Sequence, residues 1–302
     1  MEKIFYQIDA FTDRKFGGNP AAVLLDAEGL DEEQMLKIAR EMALSETVFV
    51  RKSKGNKYDY EVRFFTPKGE VDLCGHGTIA TFFIMAEKGM ISATDKKVIM
   101  KQRTLAGILP VEIYFQGNRV EKVMMEQKSP NHLFTVKDID NIANIMGINK
   151  YDIGLEGFKA LPMVYSTGIP DIMLPVKNLD LLKKMNPDFE RLEKYSKEHR
   201  VVGAHAFTIE NIEKKLISCR NFAPAYGINE EAATGTSNGA LAAYLIENRI
   251  IDMEESLSII CKQGYFMDRP SQIFVEVERV NRELVIKVGG RAVLIIEGKI
   301  YL

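Results

Sequence analysis

Residues 63–80 read RFFTPKGEVDLCGHGTIA, and residues 220–240 read RNFAPAYGINEEAATGTSNGA. Both stretches fit one pattern: R-x-F-x-P, a spacer, then E-x-x-x-[CT]-G-[HT]-[GS]-x-x-A. The spacer is longer in the second copy, Ala225 to Asn229. Upstream, Gly18-Asn19-Pro20 precedes the apolar run Ala21 to Leu25, and Gly168-Ile169-Pro170 precedes Ile172 to Val176. Three matches in the same order predict an internal repeat, which decides the fold before any local assignment.

The elements around these stretches agree. In the first half, strands are predicted at 5–11, 21–25, 47–50 and 60–65. Asp31 followed by Glu32 and Glu33 marks a helix start, with the helix running to Met42. Gly75-His76-Gly77 opens a second helix over 78–88, and strands follow at 98–104, 108–115 and 119–126. In the second half, helices are predicted at 180–185, 189–197 and 237–248, and strands at 207–210, 216–222, 273–278, 284–288 and 291–297. Hairpin-like turns such as Gln116-Gly117-Asn118 and Asn281-Arg282-Glu283 favour antiparallel pairing. The expected class is α+β, in two pseudo-symmetric halves. Each half is a mostly antiparallel, barrel-like sheet around a central helix. The halves are placed at 1–128 and 129–302, and the last strand is also compatible with packing on the first half.

The central helices are 78–88 and 237–248, which are apolar almost all round and so belong inside. Their starts are then buried, and the first N–H groups need partners. Gly75, Gly77 and Gly235 leave those groups uncovered by side chains, and Thr236 and Ser237 add hydroxyls. This donor set suits a small carboxylate drawn by the helix dipole; internal capping by Thr and Ser is the alternative.

Composition narrows the function classes. Among 302 residues, 40 Lys and Arg against 42 Asp and Glu give a net charge of −2. There is no basic stripe with interleaved aromatics, so nucleic acid is not an expected partner. Apolar runs are too short to span a bilayer. MEKIFYQIDAF alternates like a strand rather than a signal peptide. Cys74, Cys219 and Cys261, an odd and scattered set, fit a reducing compartment. A soluble, cytoplasmic protein is the expectation.

The candidate chemistry clusters near the Gly-rich turns. His76 lies in the helix start, where the dipole disfavours imidazolium, so a neutral ring is expected. Glu46 lies between a helix end and an apolar strand; desolvation there would raise its pKa toward a proton-transfer role, and an exposed Glu at a strand edge is the alternative that local context favours. Glu231 precedes the second Gly turn. Cys74 is a competing nucleophile with a thiol lowered by the helix start, yet its partner position is Thr234. There is no H-E-x-x-H, no C-x-x-C and no nucleotide-binding glycine motif. Neither a metal nor a cofactor is expected. Three readings stay open: an isomerase, an amino-acid epimerase or racemase using two thiols, and a non-catalytic small-molecule binding protein.

Further stretches carry a family resemblance. IDAFT at 8–12, GGNPAAV at 17–23, SETVFV at 45–50 and STG at 166–168 stand in order with the two stretches quoted above. The chain resembles the phenazine-biosynthesis (PhzF-like) isomerases, within the diaminopimelate epimerase fold. The resemblance implies a cofactor-free homodimer whose two halves close on a small carboxylate-bearing substrate. It places the family's catalytic Glu on Glu46 and its active-site His on His76. The family's second acidic residue falls on Glu231, where Asp is usual, and its second-turn Ser falls on Thr236. The founding reaction isomerises trans-2,3-dihydro-3-hydroxyanthranilate by moving a proton between carbons.

Overall fold

The computed structural model describes residues 2–302, which divide into two compact units: 2–126 with 289–302, and 127–288. In chain order the first unit contains β1 (Glu2–Ala10), β2 (Asn19–Leu24), α1 (Glu32–Met42), β3 (Glu46–Lys52), β4 (Tyr60–Thr66), β5 (Gly69–Val71), α2 (Gly75–Glu87), β6 (Lys97–Thr104), β7 (Gly107–Gln116) and β8 (Arg119–Glu126). The second contains β9 (Asn131–Thr135), α3 (Ile139–Ile145), β10 (Met163–Ser166), β11 (Pro170–Pro175), α4 (Leu179–Lys184), α5 (Phe189–His199), β12 (Ala204–Asn211), β13 (Leu216–Ala223), β14 (Ile228–Glu231), α6 (Gly235–Glu247), β15 (Ser256–Gln263) and β16 (Ser271–Val280). Strand β17 (Glu283–Gly290) ends at the passage back to the first unit, which β18 (Ala292–Tyr301) completes.

In the first unit β1 pairs antiparallel with β18 and β2, β2 lies parallel to β3, and β3 and β4 are antiparallel. Strand β4 then takes β5 antiparallel and β6 parallel, and β6, β7 and β8 form a meander. The sheet curls around α2, which touches β1, β2, β3, β7, β8 and β18. The second unit has the same pairing order: β9–β10 and β10–β11 antiparallel, β11–β12 parallel, β12–β13 and β13–β14 antiparallel, β13–β15 parallel and β15–β16 antiparallel. Its inner helix is α6, packed on β10, β11 and β16. The expected α+β architecture with a central helix in each half is what the chain adopts.

Alternation along the strands sorts inner from outer faces. Phe49 and Phe65 face outward onto α1, with Leu24, Met35 and Ile38. Val48 and Phe64 face inward, close against Gly77 of α2. Asp31 caps α1, as the sequence predicts, and the structure adds a reciprocal box with Gln34.

Both inner helices begin earlier than predicted, at Gly75 rather than residue 78 and at Gly235 rather than residue 237. Burial of the helix offsets the glycine penalty, roughly 1 kcal/mol per residue. Helix α3 and strands β5, β9, β10, β14 and β15 were outside the sequence expectation. Five of them are only three to seven residues long, and β15, SLSIICKQ, is buried only at the alternate positions Ile259, Cys261 and Gln263. Among the described residues, no helix is long and apolar enough to cross a membrane.

Candidate active site

The inward face of β3 carries Glu46 two residues before Val48, aimed at the start of α2. There the carboxylate meets His76, with Nε2 3.0 Å from Glu46 Oε2. Ser45 Oγ is 3.3 Å from the same ring nitrogen. On the other side of the ring, Asn19 Nδ2 is 3.4 Å and Cys74 Sγ 3.5 Å from Nδ1. His76 and Cys74 are buried, and Glu46 is mostly so. Despite the short approach to His76, Glu46 Oε2 is buried without an aligned hydrogen-bond donor among the described residues.

This environment reverses three charge states expected from sequence. Burial alone would raise Glu46, but the charge of His76 and the close approaches of His76 and Ser45 outweigh it, leaving the carboxyl below its ordinary value. Burial would lower His76, but the flanking Cys74 and Glu46 raise it well above the imidazole range. Cys74 is pushed up, first by burial and then by Glu46. A raised thiol is protonated near neutrality, so Glu46 is the anion that holds the imidazolium. Neutral His76, raised Glu46 and lowered Cys74 are therefore corrected: each was inferred from local context, and the partners come from another element.

The α2 start is less open than expected. Gly77 N–H donates to Cys74 Sγ at 3.3 Å, so the thiol caps the helix. A Cβ on Gly77 would meet Val48 Cγ2 at 3.0 Å and Phe64 Cδ1 at 3.2 Å, so this glycine is required for packing. Gly75 meets only Met125 Sδ, at 4.0 Å.

The second unit places its candidates differently. The α6 cap residue Thr234 makes no side-chain cap bond. Its hydroxyl donates instead to Glu231 Oε2 at 2.7 Å and accepts from Gln263 Nε2 at 3.0 Å. The Thr236 carbonyl accepts from Thr167 Oγ1. Ser237, expected to meet a ligand, donates its hydroxyl to Asp171 Oδ2 at 2.8 Å and is buried.

A buried polar chain connects these groups. Asn221 Nδ2 reaches Asp171 Oδ2 at 2.7 Å and His205 Nδ1 at 3.2 Å. His205 Nε2 faces Asn238 Oδ1 at 3.3 Å, and Asn238 Nδ2 donates to Gln263 Oε1 at 2.9 Å. Gln263 Nε2 also donates to the Glu231 carbonyl at 2.7 Å. Burial pushes Asp171 up to about 7, against the hydrogen bonds of Ser237 and Asn221. Burial also lowers His205 to about 4, so its ring is neutral near pH 7. These partners fix Nε2 as its donor and Nδ1 as its acceptor. The amides in the chain orient their neighbours and do not pass protons onward.

His205 and Asp171 were missed from sequence. His205 stands opposite Asn221 where β3 and β4 oppose Val48 to Phe64. Asp171 follows Pro170 as Ala21 follows Pro20. A lone charge in the apolar run Pro170 to Val176 was the available signal for Asp171.

The model of the phenazine biosynthesis-like proteins matches residues 8–298. The chain belongs to this family. An uncharacterized isomerase of Clostridium acetobutylicum is 37% identical over 98% of this chain and 97% of its own length. The structure of a PhzF-family phenazine biosynthesis protein of Bacillus anthracis superposes with a TM-score of 0.89, at 31% identity, over the whole of both chains. The trans-2,3-dihydro-3-hydroxyanthranilate isomerase of Pseudomonas aeruginosa is 29% identical over 98% of each chain. This PhzF-family chain is an isomerase.

Proposed function

We propose that this isomerase relocates a proton within a small carboxylate-bearing molecule, with no cofactor, and that Glu46 carries the proton. The observation behind this is the Glu46–His76 pair at 3.0 Å, whose Oε2 is buried and lacks an aligned donor. The imidazolium keeps the carboxylate ionised near neutrality. The unused lone pair is available to a carbon-bound proton that the substrate itself renders acidic. Glu46 accepts that proton and returns it to another carbon, and His76 steadies the charge at each stage.

A two-thiol epimerization fits less well. Cys74 is held as a thiol, and Thr234, at the matching helix cap, spends its hydroxyl on Glu231. Glu231 is a second carboxylate for proton transfer. Main-chain donors around Gly75 in the first unit, and around Gly235 and Thr236 in the second, each suit a carboxylate. The matched motifs and pairing orders support an internal repeat. Three unpaired, buried cysteines are in keeping with a reducing, cytoplasmic setting. A homodimer, which the family resemblance implies, belongs to the same proposal.

The test incubates the chain in heavy water with trans-2,3-dihydro-3-hydroxyanthranilate and with other small unsaturated carboxylates, following deuterium by NMR. Enzyme-dependent exchange at carbon, with a shifted double bond, is the expected result. Binding of these carboxylates without exchange would overturn the reading in favour of a binding protein.

A further inference from the structure

The sequence contains no metal-ligand spacing, yet folding brings three donor types together. One ligand atom each from Glu46, Cys74 and His76 lies within 4.8 Å of the others. Glu46 Oε2 to His76 Nε2 is 3.0 Å, and Cys74 Sγ to His76 Nε2 is 3.9 Å. Metal–ligand bonds of about 2.0–2.3 Å place the ligand atoms of a tetrahedral zinc ion roughly 3.3–3.8 Å apart. At 3.0 and 3.9 Å these two pairs bracket that spacing, and the third pair, within 4.8 Å, would close onto it by side-chain rotation.

The donors also match in kind. Thiolate, imidazole and carboxylate together favour a borderline cation over Mg2+ or Ca2+, which prefer all-oxygen shells. Three protein ligands leave a fourth position open. The buried Oε2 without an aligned donor supplies a ready lone pair. Asn19, beside His76 Nδ1, would accept from the Nδ1–H of a metal-bound ring after an amide turn.

We infer that Glu46, Cys74 and His76 form a three-ligand site for a borderline divalent cation such as Zn2+, and that its occupation switches the enzyme off. Binding replaces the Cys74 S–H bond and the His76 Nε2–H bond by bonds to the metal. Both protons leave to buffer, and nothing is oxidised or reduced. The binding half stands on this geometry alone, while the inhibition half rests on Glu46 being the proton carrier.

The experiment titrates Cd2+ into the reduced full chain, follows the ultraviolet cadmium–thiolate absorption, and then displaces cadmium with zinc. One equivalent of cadmium is expected to saturate the band and one of zinc to remove it, with Mg2+ ineffective in large excess. Cys74→Ser, which keeps a cap acceptor, should lose the band, while Cys219→Ser keeps it. Glu46→Gln and His76→Gln should each bind zinc at least tenfold more weakly, with unchanged circular dichroism. An absent band, a band that survives in Cys74→Ser, or unweakened zinc binding in both other variants would overturn the site. Zinc at saturation should abolish deuterium exchange. Full exchange with one zinc bound would overturn the inhibition. No exchange in the metal-free enzyme, with the cadmium band intact, would count against the proposed function and leave the metal site standing.

Discussion

His76 Nε2 stands 3.0 Å from Glu46 Oε2, and each group holds the other in its charged form. Glu46→Gln keeps the shape and removes the base. Deuterium exchange into the substrate is expected to fall by about 10²–10⁴-fold, the usual range for a lost general base. Carboxylate binding should change little, while the melting temperature falls because buried His76 loses its anionic partner. Exchange at the wild-type rate would remove Glu46 from the mechanism.

The same pair makes stability depend on pH in a predictable direction. His76 is raised on folding, so its contribution is complete below the free imidazole value of about 6.5 and fades as pH rises through the folded value. Glu46 is lowered, so its contribution holds above the free carboxyl range and fades as pH falls through the folded value. In chelator-treated samples, the melting temperature advantage of the native chain over His76→Asn should be larger near about pH 6 than near about pH 10. An advantage independent of pH would show that the pair does not form.

Asp171 works in the opposite sense to an ordinary carboxylate. Its folded value is about 7, so the protonated form is favoured and stability declines as pH rises from the free carboxyl value toward 7. The difference is worth roughly 4 kcal/mol on the alkaline side. Asp171→Asn can accept the Ser237 and Asn221 hydrogen bonds without a charge. It should melt higher than the native chain at alkaline pH, with a smaller gain in acid, as read by calorimetry across pH.

Thr234 links Glu231 to Gln263. Thr234→Val keeps the volume but leaves both partners short of a hydrogen bond, which costs about 1–3 kcal/mol. Thr234→Ser should recover most of it. Urea unfolding of the two variants side by side measures the difference, and equal midpoints would show that the hydroxyl is dispensable.

At Gly203 a Cβ would overlap the carbonyl oxygen of Phe222. Gly203→Ala must push two neighbouring strands apart, at a cost of about 1–3 kcal/mol or more. The readout is a lowered unfolding midpoint.

Much of the fold was legible because its signals are local. Capping at Asp31, all-apolar helices and paired Gly turns each occupy a few adjacent residues. Glu46, His76 and Cys74 were legible as candidates for the same reason. Their charge states were not, because residues 46 and 76 meet only after β3 and α2 are packed. His76 judged by its helix end alone should be neutral; the carboxylate at 3.0 Å reverses that. The Asp171–Asn221–His205 contacts were hidden more deeply, since they join three strands. Their polar residues also occupy inward positions that periodicity assigns to apolar side chains.

Strand β18 pairs along the whole of β1, from Glu2 opposite Tyr301 to Ala10 opposite Ala292. The unit that holds Glu46 and His76 is therefore discontinuous along the chain, while 127–288 is one uninterrupted segment. On the ribosome, the second unit in sequence has all its strands and helices before the first has its closing strand. The growing chain carries β1 with that edge uncovered until residues 292–301 emerge, and an uncovered edge is where misassembly begins. The half that bears the proposed proton carrier is thus the last to be completed during synthesis.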